Sequence, residues 1–183
     1  YDKKSDNTIY GIAVDHSKAS NDYYAGDGDN SMTNLTLYAT NYRGGVDVKN
    51  QKSGSTYSDL VLRAGRLQSN VDSYGTYHDS LGYDTWGYNI SYEMGKTFRN
   101  DKGWFIEPEA QLSYGRLRGG DYTTQRGTHV HKDDIDSLLG RIGFVAGRKI
   151  NDDKDFYFKA NVYREFAGDG DMHFVHGDQT MLD

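Results

Sequence analysis

The sequence has no cysteine, a single proline and no long hydrophobic run among its 183 residues. Without cysteine, neither a disulfide framework nor a thiolate metal site can form. Mean hydropathy is −0.85, and no segment reaches the roughly twenty apolar residues that a membrane-spanning helix requires. A membrane β-barrel is not excluded, because only every second residue of its strands has to be apolar.

The sequence also lacks an excess of positive charge. The net charge is −6 and the Lys and Arg residues do not cluster, which argues against a nucleic-acid-binding surface. The chain begins at Tyr1 without a signal peptide. For an exported protein, we therefore expect the targeting segment to have been removed or to lie outside this sequence.

Tyrosine, glycine and alternating polarity are what the sequence has in abundance, with 16 Tyr and 22 Gly. Most of the alternating runs have ten or more residues, whereas strands of compact soluble domains typically have ~5–6. A tilted strand that crosses a bilayer needs about 9–11. The predicted strands are 8–19, 32–43, 57–69, 85–98, 104–117, 136–149 and 156–166.

Short and long connections alternate along the chain. RNDKG after Phe98 and NDDKD after Ile150 are predicted as tight turns, whereas 20–31, 70–84 and 118–135 are predicted as longer loops. Outer-membrane barrels have short periplasmic turns and long external loops, which produces this order. The segment 44–56 is longer than the pattern requires.

The two faces of each predicted strand differ in polarity. In a soluble sheet the apolar face would cover a core, whereas in a membrane barrel it would face lipid and the polar face would line a wet interior. The residues predicted to face lipid are Leu60, Leu62, Tyr88, Ile90, Ile106, Ala110, Leu112, Ile142, Phe144 and Phe158. The residues predicted to line the lumen are Asp59, Arg63, Glu93, Glu107, Glu109, Gln111, Arg141, Lys159 and Glu165.

Aromatic residues lie near the ends of the predicted strands, where girdles at the two membrane interfaces are expected. The predicted girdle residues are Tyr57, Trp86, Trp104, Tyr114 and Phe156. Opposite charges on the polar face, such as Arg141 and Glu93, are expected to pair across the lumen.

Three segments carry a resemblance to a known family: GWFIEPEAQLSYGR, DDIDSLLGRIGFVAGRKI with its turn NDDKD, and FYFKANVYREFAGDGD. In this order and spacing they resemble the β-domain of autotransporters, which are type V secretion proteins of Gram-negative bacteria. The resemblance is strongest over 81–171 and looser over 10–75. Its IEP core at 106–108 is fairly specific, because proline inside an alternating strand is unusual.

The resemblance implies an all-β, antiparallel, up-and-down transmembrane barrel of twelve strands in the bacterial outer membrane, with a helical segment in its pore. About seven strands are expected here, as one partial domain over 1–183. The implied partners are outer-membrane lipid, the barrel assembly machinery and an N-terminal passenger of the same chain. Because no passenger, helical linker or final strand is recognisable, we interpret the sequence as an interior fragment.

Two polar motifs have an alternative interpretation as metal sites. The spacing of His129, His131, Asp133 and Asp134 could serve a metal ion, but we interpret this segment as a solvated outer loop. The similar segments AGDGDN and AGDGDM suggest calcium, but neither matches an EF-hand loop. We therefore predict no metal site and no cofactor.

Two further functions compete with the translocator. A protease at the barrel rim would use His78 or His131 with Asp79 and Asp133 to activate water, but no catalytic motif supports enzyme activity. A soluble or surface-exposed adhesin or ligand-binding module would turn the apolar faces towards a core. For the barrel, Leu112→Asp is expected to impair insertion and Glu109→Gln to be tolerated.

Overall fold

The computed structural model describes residues 1–5, 7–43, 54–75, 78–150, 154–169, 171–176 and 179–182. Over this part of the chain the secondary structure consists of strands and turns, so the prediction of an all-β, antiparallel fold is confirmed. In the same residues there is no helix with the length and apolar character to cross a membrane.

Thirteen strands are present in the described residues. Their bounds are β1 Asp2–Lys4, β2 Thr8–Tyr23, β3 Gly26–Arg43, β4 Thr56–Tyr74, β5 His78–Lys96, β6 Phe98–Arg99, β7 Trp104–Leu117, β8 Gly120–Thr123, β9 His129–Lys132, β10 Ile135–Lys149, β11 Asp155–Asp169, β12 Met172–His176 and β13 Gln179–Leu182. Nine of them form one sheet in the order β1-β2-β3-β4-β5-β7-β10-β11, with β6 also on β7. A second sheet has the order β13-β12-β9-β8.

The long strands form an up-and-down meander in which successive strands pair antiparallel. Six of the seven predicted runs lie within β2, β3, β4, β7, β10 and β11, and the run 85–98 covers most of β5 and reaches β6. Within the described residues no pairing joins the two ends of the large sheet, β1 and β11, so the sheet is open.

Two of the predicted long loops are wrong, because the strands continue through them. β2 and β3 remain paired up to Tyr23 and Gly26, and only Tyr24 and Ala25 form the turn. β4 and β5 likewise pair from Thr56–Lys96 up to Tyr74–His78. The strands therefore project well beyond the predicted membrane span.

The segment 118–135 contains a hairpin of its own, β8–β9, which pairs with β12 beyond β11. The second sheet is formed by the β8–β9 and β12–β13 hairpins. We call the end of the molecule that carries this sheet the upper end. Most of the segment 44–56 lies outside the described residues.

Pro108 explains why β5 and β6 are separate strands. Gly95 pairs with Glu109, and Phe98 pairs with Ile106 in the same register, so the ladder is interrupted only between them. Proline has no N–H to donate and is found where sheet pairing is irregular. Thr97 faces the other neighbouring strand, and its N–H donates to the carbonyl of Ser55, next to the start of β4, at 2.8 Å.

Burial in the sheet is the reverse of that in a soluble domain. The only buried hydrophobic residue among those described is Val130, with 3% of its surface exposed. The buried polar and charged residues are Asn34, Thr36, Ser69, Thr85, Ser91, Thr97, Glu109, Lys132 and Arg141. The sheet therefore encloses its polar face and leaves its apolar face open, whereas soluble proteins rarely expose large contiguous apolar patches.

Tyr57 lies on the polar face, so its prediction as a girdle residue is wrong. Its ring covers Gly95, the residue opposite it on β5, and its hydroxyl donates to Glu93 at 2.6 Å. A Cβ on Gly95 would lie 2.3 Å from Cε1 of the Tyr57 ring. Only glycine leaves room for this ring, and the two residues pack as a matched pair.

Gly95→Ala is expected to reduce assembly of the folded domain, because the ring of Tyr57 would have to leave its place and its bond to Glu93. Gly115→Ala is the matched control on the polar face, since its Cβ would meet its nearest described neighbour at an ordinary 3.5 Å. The yield of heat-modifiable protein on a gel measures assembly. Equal yields for the two variants would show that the ring does not constrain position 95.

Candidate functional site

The ten residues predicted to face lipid all lie on one face of the sheet, which we call the apolar face. Cross-strand partners such as Leu62 and Ile90, or Ile142 and Ala110, share this face because directly opposite residues point the same way. Ala110 is exposed and the other nine side chains are between 37% (Phe144) and 66% (Ile142) exposed. On β5 the exposed large hydrophobic side chains run from Trp86 to Met94, close to the length of about 9–11 residues that a crossing strand needs.

Charged residues mark both limits of the apolar face. At the upper limit Arg66 pairs with Asp84 at 2.5 Å, and Arg116 contacts Asp134 and Asp136. We call these five residues the upper rim.

At the opposite limit the amine of Lys96 lies 5.1 Å from the ring centre of Phe98, and the guanidinium of Arg148 lies 5.6 Å from that of Trp104. We call these four residues the lower rim. Aromatic rings with a charged neighbour suit the interface between hydrocarbon and water.

The polar face is organised around Arg141, which lies on β10 and is 8% exposed. Its guanidinium bonds Glu93 at 2.6 Å on β5 and Glu109 at 3.0 Å on β7. It also donates to Gln111 at 2.9 Å and to Asn161 at 2.8 Å. One buried cation thus ties four strands together, and the predicted pairing of Arg141 with Glu93 is present.

Glu109 accepts a second cation, because Nζ of Lys159 on β11 lies 2.8 Å from the same oxygen that Arg141 contacts. A buried carboxylate between two cations has its negative charge compensated, which is the condition for keeping it ionised away from water. Gln111 continues the network by donating to Ser91 at 2.7 Å. The network consists of Tyr57, Ser91, Glu93, Glu109, Gln111, Arg141, Lys159 and Asn161.

The other predicted lumen residues lie on the same face but bond hydroxyl groups. Asp59 accepts from Thr40 at 2.5 Å, Arg63 donates to Thr36 at 3.1 Å, and Glu107 accepts from Thr97. Glu165 accepts from Ser137 at 2.8 Å and from the Leu138 N–H at 2.7 Å, where the β10–β11 register shifts. These bonds hold neighbouring strands and leave the central charge pairs to Arg141.

The β8–β9 hairpin packs against the upper part of β5. Lys132 is 4% exposed, and its amine lies 5.0 Å from the ring centre of Tyr83. Tyr83 and Tyr122 pack with ring centres 4.9 Å apart. Asp79 on β5 accepts from the backbone N–H of Arg126 at 3.1 Å. The hairpin is therefore docked at both its base and its turn.

His131 lies between two carboxylates. Its Nδ1 is 2.6 Å from Asp121 and its Nε2 is 3.2 Å from Asp133. Only the protonated ring can donate to both. The hydrogen bond to Asp121, followed by the charges of Asp121 and Asp133, raises the pKa of His131 above its ordinary value of 6.5.

The motif considered for a metal ion does not converge. His129 contacts Thr123, while Asp134 contacts Arg116 and the Gly119 N–H. Across the described ranges no group of three or more His, Cys, Asp or Glu residues has a geometry that would hold a metal. Part of AGDGDM lies outside those ranges.

The residues considered for a protease have separate partners. The ring of His78 packs on Tyr74, with centres 5.5 Å apart. Asp79 holds the backbone of the β8–β9 hairpin, and Asp133 contacts His131. Where the chain is described, no hydrogen bond or ion pair links His78 or Asp79 to Asp133. The geometry shows structural contacts for each residue.

A model of the autotransporter β-domain family matches residues 1–181. The chain belongs to this family. The pertactin autotransporter of Bordetella parapertussis is 37% identical over 120 residues, 62% of this chain and 13% of that protein. The probable autotransporter YcgV of Escherichia coli K12 is 30% identical over 168 residues, 87% of this chain and 16% of that protein. The chain thus spans less than a fifth of the length of these two relatives.

The fold of this autotransporter β-domain is also that of a solved relative. The crystal structure of the β-domain of the Bordetella autotransporter BrkA superposes with a TM-score of 0.70 at 22% identity, covering 99% of this chain and 78% of that one. Autotransporter β-domains are outer-membrane translocators of Gram-negative bacteria, so the predicted family and bacterial outer-membrane location are confirmed.

Arg141→Met is expected to lower the free energy of unfolding by about 3–5 kcal/mol, because it leaves two enclosed carboxylates without their shared cation. Arg63→Met is the control, since Arg63 is exposed and bonds a hydroxyl. Denaturant midpoints of the full-length protein in detergent measure both.

Glu109→Gln keeps an oxygen acceptor for both cations, so we expect it to remain tolerated. Similar midpoints for Arg141→Met and Arg63→Met would show that the network does not stabilise the sheet.

The pairing of β9 with β8 is expected to weaken as the pH rises. The raised pKa of His131 means that its contribution is fully present below its ordinary pKa of 6.5 and is lost above the raised value. Amide-exchange protection factors at Val130 and Lys132 should fall between acid and alkaline pH. His131→Gln should remove this pH dependence and His129→Gln should keep it; an unchanged dependence in His131→Gln would contradict the assignment.

Proposed function

We propose that this chain is the outer-membrane barrel segment that anchors an autotransporter and helps export a passenger carried by the same polypeptide. The observation that supports this most directly is the reversed burial: Arg141 and Glu109 are enclosed while Leu112 and Ile142 are exposed. A water-soluble protein would gain nothing from this arrangement. In a bilayer it places apolar groups in hydrocarbon and charges in a wet interior.

Outer-membrane lipid is the proposed partner of the apolar face. The exposed apolar side chains form a continuous band across β3, β4, β5, β7, β10 and β11, and both limits of the band carry charged residues. A soluble adhesin or ligand-binding module would leave the same band in water, where such a patch promotes aggregation. We therefore favour the membrane barrel over the soluble module.

The polar face suits the passage of a polypeptide. Its strongest charges, Arg141, Glu93, Glu109 and Lys159, pair with one another across neighbouring strands. A passing chain then meets compensated charge and hydroxyl groups, which hold it weakly. This role is physical, and we propose no enzyme activity for the segment.

The barrel assembly machinery is the proposed partner during insertion. Free strand edges are costly in lipid, because every unpaired N–H and C=O lacks a partner there. In the described residues the edge of β11 that faces away from β10 has no paired strand, and β1 covers only the first part of β2. Machinery that protects such edges until closure would lower this cost.

Leu112→Asp is expected to impair assembly, with a cost of up to about 2 kcal/mol for a carboxylate on the lipid face. Ser113→Asp is the matched control, because the neighbouring residue points to the polar face. The full-length parent is recovered from outer membranes and run on a gel with and without boiling. External protease on intact cells then reports whether the passenger is at the surface.

The expected result is a fast-running band that slows on heating for the wild type and Ser113→Asp, and less of it for Leu112→Asp. Equal assembly of the two variants would contradict the face assignment. A parent protein in the soluble fraction, with no heat shift, would instead favour the soluble binding module.

A further inference from the structure

The second sheet lies against the polar face of β5 at the upper end of the molecule. Tyr83 and Thr85 point to the polar face, because they share the alternation of Ser91 along β5. Tyr83 packs on Tyr122 of β8 with ring centres 4.9 Å apart, and the side chain of Tyr122 also hydrogen-bonds that of Thr85. Because the polar face lines the pore of the proposed barrel, the second sheet covers part of the upper mouth, and we call it the lid.

The lid consists of two hairpins, β8–β9 and β12–β13, which meet along one ladder of four residue pairs between β9 and β12. We call this ladder the seam. On the under side of the lid at the seam lies Val130, which is 3% exposed. An isolated two-stranded hairpin is only marginally stable in water. Contacts across the seam therefore decide whether the two hairpins stay together.

Four ionisable side chains cross the seam on the outer side of the lid. Asp121, His131 and His173 lie directly opposite one another on β8, β9 and β12, so their side chains share one side of the sheet. Asp133 contacts both rings: one carboxylate oxygen is 3.2 Å from Nε2 of His131 and the other is 4.0 Å from Nε2 of His173. The two rings stack with centres 6.2 Å apart. We call these four residues the clasp.

We propose that the clasp holds the lid over the mouth of the pore in mildly acid surroundings and releases it in alkaline ones. Histidine changes its charge between about pH 5 and 8. When both rings are protonated, the charges of the clasp alternate in sign from Asp121 to His173, and Asp133 offers one oxygen to each cation. When both rings are neutral, the two carboxylates lose their cations, and His131 can no longer donate to both.

The charged groups around the clasp have other contacts. Those on the neighbouring elements are Arg118, His129, Lys132, Asp134 and Asp171. His129 contacts Thr123, and Lys132 lies on the under side of the lid beside Tyr83. Asp134 is paired with Arg116 and lies near Arg118, while the backbone carbonyl of Asp171 accepts the Asp133 N–H at 3.1 Å. The charge that changes across the seam is therefore that of the two histidines.

The raised pKa of His131 has the sign that this arrangement requires. A group whose pKa is higher in the folded state stabilises that state below its ordinary pKa, here 6.5, and ceases to do so above the raised value. The inference rests on the proposed function, because a covered mouth matters only in a closed barrel. It goes further by assigning a regulation to the upper end of the pore.

The test measures how accessible the seam is on cells that display the full-length parent. The sequence has no cysteine, so Val130→Cys places one thiol under the seam and Tyr24→Cys places one on a fully exposed hairpin tip. A membrane-impermeant maleimide is added at about pH 5 and pH 8, the limits of the histidine range. Because thiolate reactivity itself rises with pH, the labelling rate of Val130→Cys is divided by that of Tyr24→Cys. We expect this ratio to rise severalfold at the higher pH.

Histidine variants locate the effect. Adding His131→Gln and His173→Gln together should make the ratio independent of pH, whereas His129→Gln should leave the rise unchanged. An unchanged ratio with the clasp intact would overturn the proposal, and this comparison needs no histidine variant to fold. An equal rise with and without the clasp histidines would also overturn it.

The heat-shifted band on the gel is measured in parallel. Its absence in the parent would contradict the proposed barrel. A ratio without pH dependence in protein that keeps this band would contradict the clasp alone.

Discussion

The constraint on which this structure depends is that backbone polar groups in a bilayer have no water to bond. The long strands satisfy it through ladders that continue across the whole apolar band. The ladder between β5 and β7 breaks only around Pro108, next to the lower rim, while the backbone of Thr97 stays bonded to Ser55 and Gly54 on the β4 side. The one proline of the chain thus lies where an interruption is least costly.

With the backbone hydrogen bonds made, the polarity of each side chain follows from whether it faces lipid or the wet interior. The apolar face is selected for contact with lipid, so its residues need no particular partner. The polar face is more demanding, because an enclosed charge without a partner is costly. Arg141 supplies the partner for enclosed carboxylates on several strands at once, and Gly95 leaves room for the ring of Tyr57. The polar face therefore specifies the pairing of the strands more strictly than the apolar face does.

The sequence predicts the membrane-spanning parts well and the upper hairpins poorly, for a physical reason. A strand between lipid and water must alternate in polarity, and this period is visible in the sequence. Above the membrane both faces meet water, so β2 to β5 continue without that signal and look like loops. The sequence also does not reveal hydrogen-bond partners that depend on the register of the strands. Arg63 bonds Thr36, and Glu107 bonds Thr97. The position of Tyr57 near a strand end predicts a girdle residue, although its spacing from Asp59 places it on the polar face.

The strands that extend beyond the membrane form hairpins that project from the cell surface. From Asp84 to His78, β5 adds about 20 Å of chain at ~3.3 Å per residue, and β4 accompanies it over this length. The β2–β3 hairpin ends in Tyr23 and the fully exposed Tyr24. Because the long connections of outer-membrane barrels lie on the external side, these tyrosines would be accessible to antibodies and bacteriophages outside the cell.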